Sequence, residues 1–142
     1  MKFTTKAEYG LAALADIAIH SEKGMKATTL EIAQRQQISH KYLEQILLQL
    51  RHANLIHASK GQKGGYSLIQ PASCIRISDV LNALDSSILA DAPDIDSDIG
   101  IRRNIKDCLW DQMNRAMREY TDHMTLAELI ERGADDSSNY VI

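Results

Sequence analysis

Apolar positions along the chain follow two rhythms, and the change between them outlines the fold. In the first block, Leu11, Leu14, Ala15, Ala18 and Ile19 recur at the i, i+3, i+4 spacing of one buried helical face. This predicts a helix from about Thr5 to His20. Thr4 or Thr5 suits its N-cap, Glu8 lies in its favourable first turn, and S-E-K-G at 21–24 ends it. Thr28 and Glu31 have the spacing of a capping box. They open a short second helix with Leu30, Ile32 and Ala33 on its apolar side, ending near Gln36 or Gln37. Ser39 then caps a third helix, with Ile38 before it as a staple. Its stripe is Leu43, Ile46, Leu47, Leu50 and Ala53. Two helices separated by three or four residues match a helix-turn-helix.

The rhythm then shortens to alternation. Leu55 to Ser59 and Tyr66 to Ile69 read as strands, and Gly61, Gly64 and Gly65 supply the positive φ angles of a tight hairpin. Pro71 closes this segment. Ser78 starts another short helix with Val80, Leu81 and Leu84 inward. The acidic stretch S-S-I-L-A-D-A-P-D-I-D-S-D, 86–98, breaks helical periodicity and reads as a loop. A long helix follows from about Ile99 to Tyr120. Its stripe is Ile101, Ile105, Leu109, Met113, Ala116, Met117 and Tyr120, with Trp110 beside it. Thr125 and Glu128 form a capping box for a last short helix, L-A-E-L-I. The expected fold is mainly α with a small β-hairpin wing: a winged helix-turn-helix plus a long C-terminal dimerisation helix. Its parts are a DNA-binding unit at 1–85, a loop at 86–98, dimerisation helices at 99–132 and a tail at 133–142.

The long helix has no obvious second helix in the chain to cover its stripe. In a DNA-binding protein the usual cover is the same helix of another copy, and a two-fold dimer would set two recognition helices about one DNA turn apart. Packing on the chain's own first helix is the alternative.

Composition adds limits. With 44% hydrophobic residues in 142, a packed core needs no staples. No apolar run approaches the roughly 20 residues that span a bilayer, and M-K-F-T-T-K-A-E-Y-G lacks a signal-peptide layout. A soluble, cytoplasmic protein is expected, with its two cysteines, Cys74 and Cys108, reduced. The net charge of −3 conceals an asymmetry. Residues 1–66 carry nine Lys and Arg against five Asp and Glu, net +4; residues 67–142 carry seven against fourteen, net −7. One half suits a polyanion and the other does not. The sequence has no phosphate loop, no metal-ligand spacing and no credible Ser/His/Asp or Cys/His pair, so an enzyme is not expected.

With these residues in view, the chain resembles the Rrf2 family of bacterial transcription regulators. The resemblance rests on F-T-T-K-A-E-Y-G-L-A-A-L, on I-S-H-K-Y-L-E-Q-I-L-L-Q-L-R-H-A-N-L-I, on the wing S-K-G-Q-K-G-G-Y-S-L, and on L-W and T-L-A-E-L near the end. It covers nearly the whole chain, and Y-L-E-Q together with K-G-x-x-G-G-Y is specific. It implies a winged-helix homodimer that binds double-stranded DNA, often as a repressor on a palindromic operator. It also implies that Ser39, His40, Lys41, Tyr42, Glu44 and Gln45 open the recognition helix, where polar side chains reach base edges. Lys60, Gly61, Lys63, Gly64, Gly65 and Tyr66 form the wing, near phosphates or the minor groove. Thr4, Thr5 and Lys6 lie at a helix N-terminus suited to phosphate.

Many family members sense iron–sulfur status through three cysteines, sometimes with a histidine, before the long helix. Here residues 86–107 contain neither Cys nor His; Asn104 and Asp107 stand about where the last thiolate and the histidine are expected. Fe–S clusters normally require several thiolates. No cofactor is expected, and the cysteines are read as small buried hydrophobes. A four-thiolate cluster assembled across a dimer, a cluster with Glu8 as a ligand as in an unusual branch of the family, and a redox-reactive thiol remain as alternatives. The chain also looks like the cluster-less cysteine-metabolism repressors, which work with O-acetylserine sulfhydrylase. Its ending, N-Y-V-I, resembles the Ile-terminated tails that dock into that enzyme. Tyr140, Val141 and Ile142 would dock, a terminal carboxylate and an apolar side chain being caught together, with D-D-S-S as a flexible tether. The rival classes are an enzyme and, second, a winged-helix interaction module that does not bind DNA.

Overall fold

A computed structural model describes residues 3–93 and 99–139. The first helix, α1, spans Thr5–His20, and the Thr4 hydroxyl accepts the Ala7 N–H at 3.1 Å. Its buried side carries Ala7, Gly10, Ala13, Leu14 and Ile17. Gly10 is there for contact: a Cβ would collide with the Leu84 side chain. Helix α2 spans Thr29–Gln36 and begins with both halves of the Thr28–Glu31 capping box. Helix α3 spans His40–His52, with the Ser39 hydroxyl accepting the Tyr42 N–H at 3.3 Å. Leu43, Ile46, Leu47 and Leu50 of α3 enter the same core as Leu14 and Ile17.

Strands β1 (Ile56–Ser59) and β2 (Gly65–Leu68) pair antiparallel, with Ile56 opposite Leu68 and Ser59 opposite Gly65. Ala27 adds a third contact at this edge: its N–H reaches the Tyr66 carbonyl at 3.1 Å, and the Tyr66 N–H reaches the Ala27 carbonyl at 2.7 Å. The hairpin is thereby tied to the segment before α2. A 3₁₀ turn, Ala72–Cys74, leads to α4 (Ile77–Leu84), whose Val80 and Leu84 are buried.

The long helix has three parts: α5 (Gly100–Ile105), a π-helical stretch Lys106–Trp110, and α6 (Asp111–His123). Ile105, Lys106, Trp110 and Asp111 all keep helical dihedrals, so the axis is continuous. Helix α7 spans Leu126–Asn139. It returns to the winged unit: the Leu126 N–H donates to the Ile75 carbonyl at 2.8 Å, the Ile77 N–H to the Met124 carbonyl at 2.9 Å, and Leu126 is fully buried in the main core.

One charged group lies within that core. Asp16 of α1 is 1% exposed. Arg35 of α2 donates from Nε and Nη2 to its two oxygens at 2.9 and 2.7 Å, and Gln36 Nε2 donates at 2.8 Å. Burial opposes the carboxylate's charge, but these donors and the Arg35 charge outweigh it and hold the carboxyl below its ordinary value. The Arg35 guanidinium is stabilised in turn, chiefly by its hydrogen bonds to Asp16.

Several sequence expectations are corrected. Ile19 and Leu30 are 50% and 60% exposed, not buried. Each lies two residues, or about 200° of helical turn, from a buried isoleucine, Ile17 and Ile32. Ala53 is exposed because α3 ends at His52 and the chain turns there. Cys74 and Cys108 are exposed rather than buried; one sits in the 3₁₀ turn and the other on the outward π-helical stretch. The start of the 86–98 segment is packed, not open loop: Ile88 and Leu89 are buried against Ala7. The tether D-D-S-S expected in the tail is part of α7, which nothing interrupts before Asn139. The docking residues Tyr140, Val141 and Ile142 lie outside the described residues.

Candidate nucleic-acid interface

The outward face of α3 is polar in its first two turns. His40, Lys41, Glu44 and Gln45 are exposed, opposite the buried Leu43, Ile46, Leu47 and Leu50. His40 Nδ1 lies 3.4 Å from a Glu44 carboxylate oxygen, one turn away. Both side chains are more than half exposed, so the pair holds weakly and either partner is free to exchange it for a base edge. Lys41 and Gln45 project beside this pair as a charge and an amide. Ser39 is exposed, but its hydroxyl is engaged in the cap. Tyr42 is only half-exposed, and its ring meets that of Tyr9 edge-on at 5.8 Å. Its first role is to seat α3 on α1.

The wing tip is built by its glycines. Gly61 and Gly65 have φ of +107° and +147°, where only glycine is unstrained. Gly64 does not: its backbone is ordinary, and glycine is required because a Cβ would collide with the Ser59 carbonyl. The Gly64 N–H donates to the Gly61 carbonyl at 2.9 Å and closes the turn. This leaves Lys60, Gly61, Gln62 and Lys63 exposed at the tip. Tyr66 is half-buried against the core and belongs to the support of the wing rather than its tip.

At the start of α1, Thr5 is exposed, Lys6 is half-buried, and the Thr4 hydroxyl is engaged in the cap. What remains there for an anion is the helix end and the Lys6 ammonium.

The apolar row of the long helix faces outward. Ile101, Leu109, Met113 and Tyr120 are 65%, 47%, 46% and 62% exposed; Ile105, Trp110 and Ala116 are exposed as well. Met117 alone turns inward, onto Ala7, Ile88 and Leu89. A groove of about 880 Å³ runs beside it, lined by Phe3, Leu11, Leu81, Leu89, Ala116 and Tyr120 among others. Arg118 fixes the floor by donating twice to the Leu89 carbonyl, at 3.0 and 2.8 Å.

Among the described residues, no group of three or more His, Cys, Asp or Glu could hold a metal ion. Cys74 and Cys108 stand on separate elements, and Glu8 lines the apolar groove on α1. Within one chain, the described donors do not bring together the several thiolates that an iron–sulfur cluster needs. No helix of the described residues is long and apolar enough to cross a membrane.

Three helices, a two-stranded lysine-tipped wing and an outward polar recognition helix define a winged helix-turn-helix DNA-binding protein. The chain belongs to the Rrf2 family, described as iron-dependent transcriptional regulators, which matches over residues 3–132. It is 31% identical over 136 residues to the HTH-type transcriptional regulator IscR of Cereibacter sphaeroides, covering 92% of this chain and 88% of that one. It is 34% identical over 133 residues to IscR of Yersinia pestis, covering 92% and 79%. Among solved structures it is similar to CymR, the global cysteine regulator of B. subtilis, with TM-score 0.79, 28% identity and coverage of 93% and 98%. It is also similar to the oxidized form of Staphylococcus aureus CymR, with TM-score 0.75, 33% identity and coverage of 92% and 97%. The chain is therefore a transcriptional regulator and not an enzyme, and its partner is DNA.

Sequence reasoning missed three features. Asp16 is a charge at a buried helical position, and such a residue requires a partner; that was the available signal. The Ala27 bridge to the wing and the return of α7 to the core left no periodic trace.

Proposed function

We propose that this protein is a dimeric repressor that binds a two-fold symmetric operator in the cytoplasm. The observation that carries this reading is the outward apolar row of the long helix, where Ile101, Leu109, Met113 and Tyr120 stay exposed within one chain. Such a row in water gains nothing until it is covered, and a second copy covers it with the same row. Ile101, Ile105, Leu109, Met113, Ala116 and Tyr120 would then form the interface, with Met117 bracing it from within. Lys41, Glu44 and Gln45 read base edges; Lys60, Lys63 and the helix end at Thr5 and Lys6 hold phosphates.

The test is duplex binding across a salt series. With six to ten phosphate contacts, affinity falls by roughly 10³ to 10⁵ between 50 and 200 mM salt, while preference for one sequence persists. Salt-independent binding, or binding without preference, would contradict the reading and favour a protein-interaction module.

The signal is read without a resident cluster, because the described donors of one chain do not bring together its thiolates. The likeness to CymR, a global cysteine regulator, supports control linked to cysteine supply, and the N-Y-V-I ending motivates O-acetylserine sulfhydrylase as the partner. Tyr140, Val141 and Ile142 would make the docking contacts, the carboxylate and the Ile142 side chain being caught together. Mixing the two proteins should give a complex that deletion of Val141 and Ile142 abolishes. Undiminished binding after that deletion would refute tail docking. An absorption spectrum of anaerobically purified protein addresses the cluster: visible charge-transfer bands with stoichiometric iron would overturn its proposed absence.

A further inference from the structure

One residue on the outward face of α3 is neither polar nor buried. Leu48 is 49% exposed. It lies seven residues after Lys41, close to two full turns, so both side chains leave the helix in nearly the same direction. Gln45 stands one turn before Leu48 on that same side, and Arg51 and His52 follow; all three are exposed. The buried stripe of Leu43, Ile46, Leu47 and Leu50 occupies the opposite face, so Leu48 takes no part in the core. If Lys41 and Gln45 enter the major groove, the helix carries Leu48 toward it as well.

The floor of the major groove offers one apolar group, the 5-methyl of thymine. A leucine on a groove-facing line is desolvated usefully against that methyl and poorly against any other base edge, whose donors and acceptors it would strip of water. We propose that Leu48 is a specificity-determining residue of this regulator and reads a thymine methyl in each half-site. The inference rests on α3 being the recognition helix.

The full-length protein is first used to enrich a binding site from random duplexes. Each thymine of that site is then replaced in turn by deoxyuridine, in both half-sites, which keeps base pairing and removes only the methyl. One position should lose about fourfold in affinity per half-site, the worth of one buried methyl. Leu48→Ala should bind thymine and uridine at that position equally, while Leu48→Met, which keeps an apolar contact, should still discriminate. Circular dichroism of both variants should match the parent, since the side chain lies outside the core. Uridine tolerated at every position, or discrimination that survives Leu48→Ala, would overturn the assignment. Failure to enrich any site would fall instead on the DNA-binding reading, and the inference would fall with it.

Discussion

The two halves of the molecule treat apolar surface in opposite ways. In the winged unit, the core residues of α1, α3 and α4 reach zero or near-zero exposure, and the buried carboxylate of Asp16 has three donors on its two oxygens. That half is complete within one chain. The long helix instead turns its largest apolar side chains outward, with Ile101 and Tyr120 each more than 60% exposed. The first half, with Leu126 of α7 completing its core, is finished within one chain, whereas the row on the long helix is left for another surface. Removing buried apolar groups should therefore harm that core by opening cavities, whereas removing those of the outward row should act through assembly.

The sharpest way to break this contrast is Leu109→Asp combined with Met113→Asp. Ultracentrifugation should show monomers with unchanged circular dichroism. Operator affinity should fall by about 10² to 10⁴, the effective-concentration advantage of two linked half-sites. Loss of helicity instead would mean that the row is covered within the chain.

Asp16→Asn probes the other half. It leaves Arg35 without its buried partner and should cost about 3 kcal/mol in denaturant unfolding, the low end for a buried pair because Arg35 is partly exposed. The parent should also lose stability in acid. The folded carboxyl titrates below its ordinary value of 3.8, so its contribution is present above that value and lost as pH falls through the folded one. The variant should lack this part of the acid sensitivity. An equal acid response in both proteins would remove Asp16 as its cause.

Smaller effects should divide the DNA surface. Gln45→Ala should relax preference at one base position by about 1–3 kcal/mol. Lys60→Ala should weaken binding evenly across sequences and lower the salt slope by about one. If both leave binding unchanged, the face assigned to the groove is wrong.

Much of this architecture is legible in the sequence. The capping box at Thr28 and Glu31, the Ser39 cap and the α3 stripe are local, and local chemistry is what periodicity and caps report. The candidate DNA face follows as the complement of that stripe. What escaped was non-local. The pairing of Asp16 with Arg35 and Gln36 joins α1 to α2 across about 20 residues, and the docking of Leu126 beside Ile75 joins positions some 50 apart. Neither leaves a trace at helical spacing. Gly64 shows the same limit in small: the sequence suggests a glycine used for positive φ, and only the fold shows that its reason is the Ser59 carbonyl instead.

Selection of duplexes from a random pool, with the stoichiometry of the selected complex, tests the central claim most directly. The account predicts an enriched site with two-fold symmetry, half-sites about 10 base pairs apart centre to centre, and two chains per duplex. An absence of enrichment, or a single asymmetric site holding one chain, would contradict it.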